Sequence, residues 1–185
     1  MIKRISVELP LSDQTIQSLK VGDQVYLSGT IFTGRDAAHK RFADTLEKGE
    51  SLPFDPRGQT IYYVGPTPKK PGYPIGSAGP TTATRMDPYT PLLLERGLKG
   101  MIGKGRRCTE VRNAIQKYQA VYFGAIEGTA ALLCKRILAS EVIAYDDLGA
   151  EAVFRLKLKD FPAIVVNDIK GGDLYEEAER KYKQS

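Results

Sequence analysis

Metal ligands and long apolar runs are what this sequence of 185 residues has least of. It holds two cysteines, Cys108 and Cys134, one histidine, His39, and no tryptophan. These residues cannot supply a four-cysteine iron–sulfur site or a four-ligand zinc site by themselves, so any metal chemistry must borrow ligands from another chain. A lone pair of thiols in a chain this long reads as reduced and buried rather than as a disulfide framework. No segment approaches the ~20 consecutive apolar residues that would span a bilayer. Met1-Ile2-Lys3-Arg4-Ile5-Ser6-Val7 alternates in strand fashion, without the apolar run of a secretory signal. The expectation is a cytoplasmic protein with no membrane contact. Ser–His–Asp and Cys–His nucleophile patterns are missing too.

What the chain does have is a modest surplus of positive charge. Lys and Arg number 27 against 22 Asp and Glu, giving a net charge of +5 and a pI near 9.1. Such a surplus suits anions of any size. Its longest basic clusters, Lys69-Lys70 and Arg106-Arg107, are short, and no zinc finger or aromatic RNA-binding motif accompanies them. Nucleic acid is therefore not the expected partner.

Hydrophobic periodicity gives a mixed α/β order. Ile5, Val7 and Leu9 alternate as a strand, and Val25 to Ile31 repeat the pattern. A helix is predicted over Asp36 to Lys48, with Ala38, Phe42 and Leu46 on one face. Thr60 to Val64 reads as a strand, and Pro66 to Pro80 as a long functional loop punctuated by proline and glycine. Asp87-Pro88 predicts a helix start, with Asp87 as N-cap, and Gly97 its end. A strand over Lys99 to Ile102, a helix carrying Val111, Ala114, Ile115 and Tyr118, and a strand at Val121 to Phe123 follow. Ala130, Leu133, Cys134 and Ile137 form a helical stripe. Strands at Val153 to Lys159 and Ala163 to Val166 precede a terminal helix over Asp173 to Tyr182. No repeat or linker divides the chain, so residues 1–185 read as a single layered α/β domain with mixed sheets.

Three segments carry candidate chemistry. Gly79-Pro80-Thr81-Thr82-Ala83-Thr84-Arg85-Met86-Asp87 sets hydroxyls and a guanidinium between a glycine-rich loop and a helix start, where backbone donors and Arg both suit a carboxylate. Thr33-Gly34-Arg35-Asp36-Ala37-Ala38-His39 lies where a strand gives way to a helix, with Arg35 and His39 on one face of the first turn. Gly100-Met101-Ile102-Gly103-Lys104-Gly105 invites a phosphate-loop reading, but Leu98 stands where that motif needs glycine and Gly105 where it needs Ser or Thr. Its glycines instead allow close backbone approach to a ligand while Lys104 donates a point charge. Taken singly, each segment reads equally as an element junction with solvent-facing charge.

Taken together, Gly34-Arg35-Asp36-Ala37-Ala38-His39, Gly79-Pro80-Thr81-Thr82 with Arg85-Met86-Asp87, and Ile102-Gly103-Lys104-Gly105 resemble the β region of class I fumarases and L-tartrate dehydratases. Gly149-Ala150-Glu151-Ala152-Val153 and Asp160-Phe161-Pro162-Ala163 resemble the same family, so the likeness covers nearly the whole chain. It implies a swivelling β/β/α domain and the hydro-lyase reaction, reversible hydration of fumarate to malate or dehydration of tartrate. It implies a cysteine-bearing α subunit holding a [4Fe–4S] cluster whose open iron acts on the hydroxyl, in an α2β2 assembly, with no metal on this chain. By the same resemblance Arg35, Arg85 and Lys104 grip the dicarboxylate substrate and Thr82 hydrogen-bonds beside it. Thr81 is the catalytic residue nearest the proton, helped by an aspartate of the α subunit. His39, Gly79 and Asp87 are supporting. A dicarboxylate-binding module without catalysis is the alternative of another class.

Overall fold

The computed structural model describes residues 4–69, 71–125 and 130–182. Strand β1 (Ile5–Leu9) buries Val7 and Leu9 and exposes their neighbours, the alternation expected of a half-covered strand. Helix α1 (Asp13–Ser18) is capped by Ser12, whose hydroxyl accepts the Thr15 N–H at 3.1 Å. Strand β2 (Gln24–Thr33) runs parallel to β1, and helix α2 (Asp36–Glu47) follows it, burying Ala38, His39 and Phe42. Strands β3 (Thr60–Tyr62), β4 (Gly100–Gly103) and β5 (Val121–Gly124) then join in parallel. A 3-10 helix at Ala83–Met86 and helix α3 (Thr90–Glu95) connect β3 to β4, and helix α4 (Thr109–Lys117) connects β4 to β5. After α5 (Ala130–Leu133) come the antiparallel strands β6 (Ile137–Ala144) and β7 (Val153–Asn167), and α6 (Leu174–Tyr182) ends the described chain.

The long strand β7 closes the sheet on itself. Its later half pairs with β5 and its length pairs with β2, so β2, β3, β4, β5 and β7 form a five-stranded ring, with β1 and β6 added outside it. A closed ring has two faces, and the period-two alternation of its strands supplies a core to each. Tyr62, Ile102, Phe123 and Val165, register neighbours on successive strands, belong to the inner cluster with Leu27, Leu156 and Phe161. Their chain neighbours Ile61, Met101 and Tyr122 face outward and pack with Phe42, Leu93 and Ile115 of α2, α3 and α4.

Mixed α/β architecture is as the sequence predicts, with local differences. The predicted strands at Val153 and Ala163 are one strand of 15 residues, because positive φ at Asp160 bends the chain without ending its pairing. The helical stripe reaching Ile137 is interrupted: Cys134–Arg136 is a 3-10 turn and Ile137 opens β6. That strand went unforeseen, since Leu138, Ala139 and Glu141 are good helix formers and its apolar residues do not alternate. Asp87 is not a helix N-cap; α3 begins at Thr90 behind Tyr89, without a side-chain cap bond. The Asp87 carboxylate is turned instead to Arg107 and the Cys108 N–H, partners distant in sequence that bind it more strongly than a local cap.

Gly29 has φ +124, and a Cβ there would lie 2.4 Å from the Leu9 carbonyl oxygen, at the register shift where β2 changes its alignment with β7. The clash is with backbone, which cannot swing aside. Gly29→Ala is therefore expected to destabilise the fold by on the order of 3 kcal/mol, read from urea unfolding midpoints.

Candidate anion-binding site at the strand ends

Because β2, β3 and β4 are parallel, the segments leaving their carboxyl ends emerge along one edge, where α/β sheets commonly bind ligands. Beyond β2 stand Gly34 and Arg35, beyond β3 Val64 and Gly65, and beyond β4 Lys104. The Thr81–Thr82 segment is laced between the last two. Thr81 N–H donates to the Tyr63 carbonyl at 2.6 Å, Lys104 N–H to the Thr81 carbonyl at 3.2 Å, and Ala83 N–H to the Lys104 carbonyl at 2.8 Å. Thr82 and Lys104 thus form a parallel bridge, and Pro80 pairs with Val64. Gly79 is half-buried just before that pairing.

The 3-10 helix then turns Arg85 back toward α2. Its guanidinium contacts Asp36 at 2.5 Å, while Arg35 contacts Glu151 at 3.1 Å and lies 3.8 Å from Asp36. Asp36 therefore stands between two guanidiniums that would otherwise repel. A Cβ at Gly65 would sit 2.8 Å from the Arg35 guanidinium, so a larger residue there would push that side chain from its present place beside the end of β3. Arg35, Thr81 and Lys104 are half-buried, and Thr82 and Arg85 exposed. Arg35, Thr81, Thr82, Arg85 and Lys104 are thereby linked along one edge through backbone bonds and a shared carboxylate.

His39 is fully buried below this edge. Its ring nitrogen Nδ1 donates to the Arg35 carbonyl at 2.9 Å, and its faces meet Phe42 and Tyr63. Burial pushes its pKa down from 6.5 to about 4; the Arg35 carbonyl opposes this, the Arg107 charge adds to it and Asp36 opposes it weakly. The ring is neutral and walled off from the edge, which fits support of the Arg35 backbone rather than direct chemistry.

Arg107, Asp36 and Glu151 were not singled out by the sequence reading. The Arg107 side chain has 0% exposure; it donates to Asp87 at 2.7 Å, to Thr90 Oγ1 at 2.7 Å and to the Tyr63 hydroxyl at 3.1 Å. Burial works against its charge, but the oxygens of Tyr63, Asp87 and Tyr122 outweigh that and hold it above its ordinary range. In sequence it stands in an ordinary Arg106-Arg107 pair, and Asp36 looks like a solvated first-turn acid. Only long-range pairing distinguishes them, and no local pattern encodes that.

The two cysteines do not form a metal site together. Cys134 packs on the inner cluster and Cys108 on the outer one, where burial raises its thiol pKa. Among the described residues no group of three or more His, Cys, Asp or Glu is placed to hold a metal ion, and no helix is long and apolar enough to cross a membrane. The thiols of the described chain do not fit an iron–sulfur cluster held by this chain alone.

Ring, lacing and cationic edge define a class: an α/β domain with cations and hydroxyls gathered at the ends of parallel strands, a chemistry suited to small anions. The chain belongs to the family described as Fumarase C-terminus, whose model matches residues 1–178. It is 38% identical over 178 residues to the aerobic class I fumarate hydratase of Salmonella typhimurium, covering 94% of this chain and 31% of that protein. The anaerobic class I fumarate hydratase of Escherichia coli is 40% identical over 163 residues, covering 87% and 30% respectively. A putative L(+)-tartrate dehydratase subunit beta of Methanocaldococcus jannaschii is 37% identical over 177 residues, covering 92% of this chain and 91% of that one. The chain thus spans about a third of the fumarate hydratases and nearly the full length of the tartrate dehydratase subunit.

Two measurements test the architecture beneath the edge. Arg107→Ala leaves Asp87 buried without its cation and is expected to cost about 3–5 kcal/mol. Arg107→Met combined with Asp87→Leu removes both charges and is expected to cost far less, retaining about 1 kcal/mol for the lost bond to the Cys108 N–H. Urea titrations of the three proteins decide it. For His39, the unfolded ring takes its proton near 6.5 and the folded ring only near 4, so its contribution to stability is complete above 6.5 and is lost as pH falls toward 4. That loss amounts to about 3 kcal/mol, and His39→Gln is expected to flatten the stability–pH curve across the interval.

Proposed function

We propose that this chain is the β-type component of an iron–sulfur hydro-lyase interconverting fumarate and L-malate, active only when joined to a cysteine-bearing α-type chain. The observation that carries the reading is the linkage of Arg35, Arg85, Lys104 and the Thr81–Thr82 pair along one edge, although the sequence scatters them over some seventy positions (Arg35 to Lys104). Membership of the fumarase family supports it. The [4Fe–4S] cluster is assigned to the α-type chain, which matches the poor fit of Cys108 and Cys134 to such a group. The reading also carries an α2β2 assembly, a cytoplasmic setting, residues 1–185 as one domain, and the swivelling β/β/α description of the fold.

Fumarate and malate both present two carboxylates. Arg35 and Arg85 suit them because a guanidinium offers five N–H donors in a planar fork, and one contact to Asp36 or Glu151 leaves others to give. When a proton leaves the carbon beside a carboxylate, negative charge builds on that carboxylate. Arg35, Arg85 and Lys104 lower the energy of that state more than of the ground state, which accelerates the step. Thr81 is the group assigned to the proton, with Thr82 hydrogen-bonding beside it. An alkoxide is scarce near neutrality, so Thr81 acts only beside a group that takes its own proton, which this reading assigns to the partner chain. Dehydration of L-tartrate is the second reading. It is favoured by the near-complete coverage of a tartrate dehydratase subunit of the same extent.

Co-expression with the α-type chain under anaerobic conditions, followed by assays on fumarate and tartrate, tests both readings. Fumarate turnover is expected to exceed tartrate turnover. Arg85→Ala and Thr81→Ala are each expected to lower kcat/KM by about 100-fold or more without dissociating the complex. Normal turnover in both variants overturns the site assignment, and a preference for tartrate replaces the first substrate with the second.

A further inference from the structure

On the side of Glu151, which contacts Arg35, the edge adjoins other surface features. Immediately beyond Arg35 and Gly65 the chain continues through Pro66 into the proline-rich loop, and the Ala150 carbonyl, one residue before Glu151, lies 3.4 Å from the position of a Cβ at Gly65. From that point a groove of about 480 Å³ opens between the loop, through Pro66, Pro68 and Ile75, and the β6–β7 hairpin, through Val142 and Phe154, with Ala150 at its near end. A second hollow of about 430 Å³ shares the loop residues and adds Tyr73, Cys134 and Lys135. Large apolar side chains are left in solvent here: Tyr73 at 51% exposure and Val142 at 45% in the linings, and Leu138 at 56% further along β6. β6 is an outermost strand, pairing among the described residues with β7 alone, so its other edge offers free backbone donors and acceptors. A contiguous apolar groove beside a free strand edge is uncommon on a chain that works unaccompanied.

We propose that this groove and the free edge of β6 seat an apolar, acid-flanked segment of the cluster-bearing chain. The proposal rests on the hydro-lyase reading above. Two observations select that occupant. The groove ends at Gly149 and Ala150, next in the chain to Glu151, the partner of Arg35, so a segment lying in it reaches the flank of the cationic edge. In the fumarate hydratases the matched segment is 31% and 30% of the chain, so most of those proteins lies outside it and is available to cover this face. The chemistry of the occupant follows from the lining, in which Lys69 and Lys135 appear and no carboxylate does among the described residues. Aliphatic side chains fill the volume and flanking Asp or Glu meet the lysines, while a strand added to β6 satisfies its edge.

The test uses the co-expressed complex. Val142→Asp and Leu138→Asp are each made in this chain, with Arg57→Glu in the exposed loop before β3 as control, and affinity for the α-type chain is read from dissociation of each complex on dilution, followed by sedimentation. Each aspartate variant is expected to weaken the complex about tenfold or more, because a carboxylate placed on the aliphatic part of the interface loses its hydration when the partner covers it, while the control binds normally. Unchanged melting of the isolated variants shows that folding is intact. A benzophenone photo-crosslinker at Val142 is expected to capture the α-type chain. Normal affinity in both aspartate variants, or capture of a second copy of this chain instead, overturns the groove assignment; fumarate turnover by that same complex then leaves the hydro-lyase reading standing. Failure of the wild-type chain to bind the α-type chain at all overturns both.

Discussion

The buried Arg107 guanidinium ties together the elements on which the anion edge depends. A cation wholly removed from water costs several kcal/mol unless every donor is used, and here the donors go to Asp87, Thr90, the Tyr63 hydroxyl and the Met101 sulfur. Those partners lie just after β3, on β4, on α3 and on the chain just after the 3-10 helix that bears Arg85. The second oxygen of Asp87 takes the Cys108 N–H at the start of α4. Tyr63 in turn accepts the Thr81 N–H through its carbonyl, and Tyr122, whose ring lies 4.9 Å from the Arg107 charge, donates to the Gly105 carbonyl beside Lys104. Thr81, Arg85 and Lys104 are each held by a neighbour that this single cation fixes.

Above that tie, the exposed cations are already paired. Asp36 contacts Arg85 and lies near Arg35, and Glu151 contacts Arg35. The shared Asp36 lets two guanidiniums stand on one carboxylate, an arrangement that bare cations would resist, and restricts the rotamers of long side chains before any ligand arrives. On the proposed reading, a dicarboxylate entering such an edge would meet oriented donors, with part of the ordering entropy lost in folding rather than in binding.

Local chemistry made much of this legible in the sequence. Alternation identified β1, β2 and the early half of β7, and the strand-to-helix junction at Thr33-Gly34-Arg35-Asp36 marked the edge itself. Closure of the ring was not legible, because it requires β7 to pair with both β2 and β5, and pairing partners leave no trace in periodicity. Asp87 was misread for the same reason: Asp before Pro is a good local cap, and a buried arginine twenty residues on is a better partner. Arg107 looked like one of many surface arginines since burial of a charge is decided by tertiary neighbours alone.

Exposure then determines what the edge can do by itself. Arg85 is 48% exposed, and a carboxylate contact in that much water contributes roughly 0–1 kcal/mol after side-chain entropy and screening. The same contact in a site stripped of water contributes several times more, because the competing hydration is gone and the field of each cation is no longer damped. Proton abstraction beside a carboxylate needs that stronger field. In the proposed hydro-lyase the described residues would be the floor of such a site, tied from below by Arg107, while Thr82 and Arg85 are exposed to solvent. A wall that dries this edge has to reach it across neighbouring surface, and the apolar groove opening beside Arg35 is surface that gains from being covered in the same event. On the proposed reading, covering the groove would supply hydrophobic free energy to offset the desolvation of the cations.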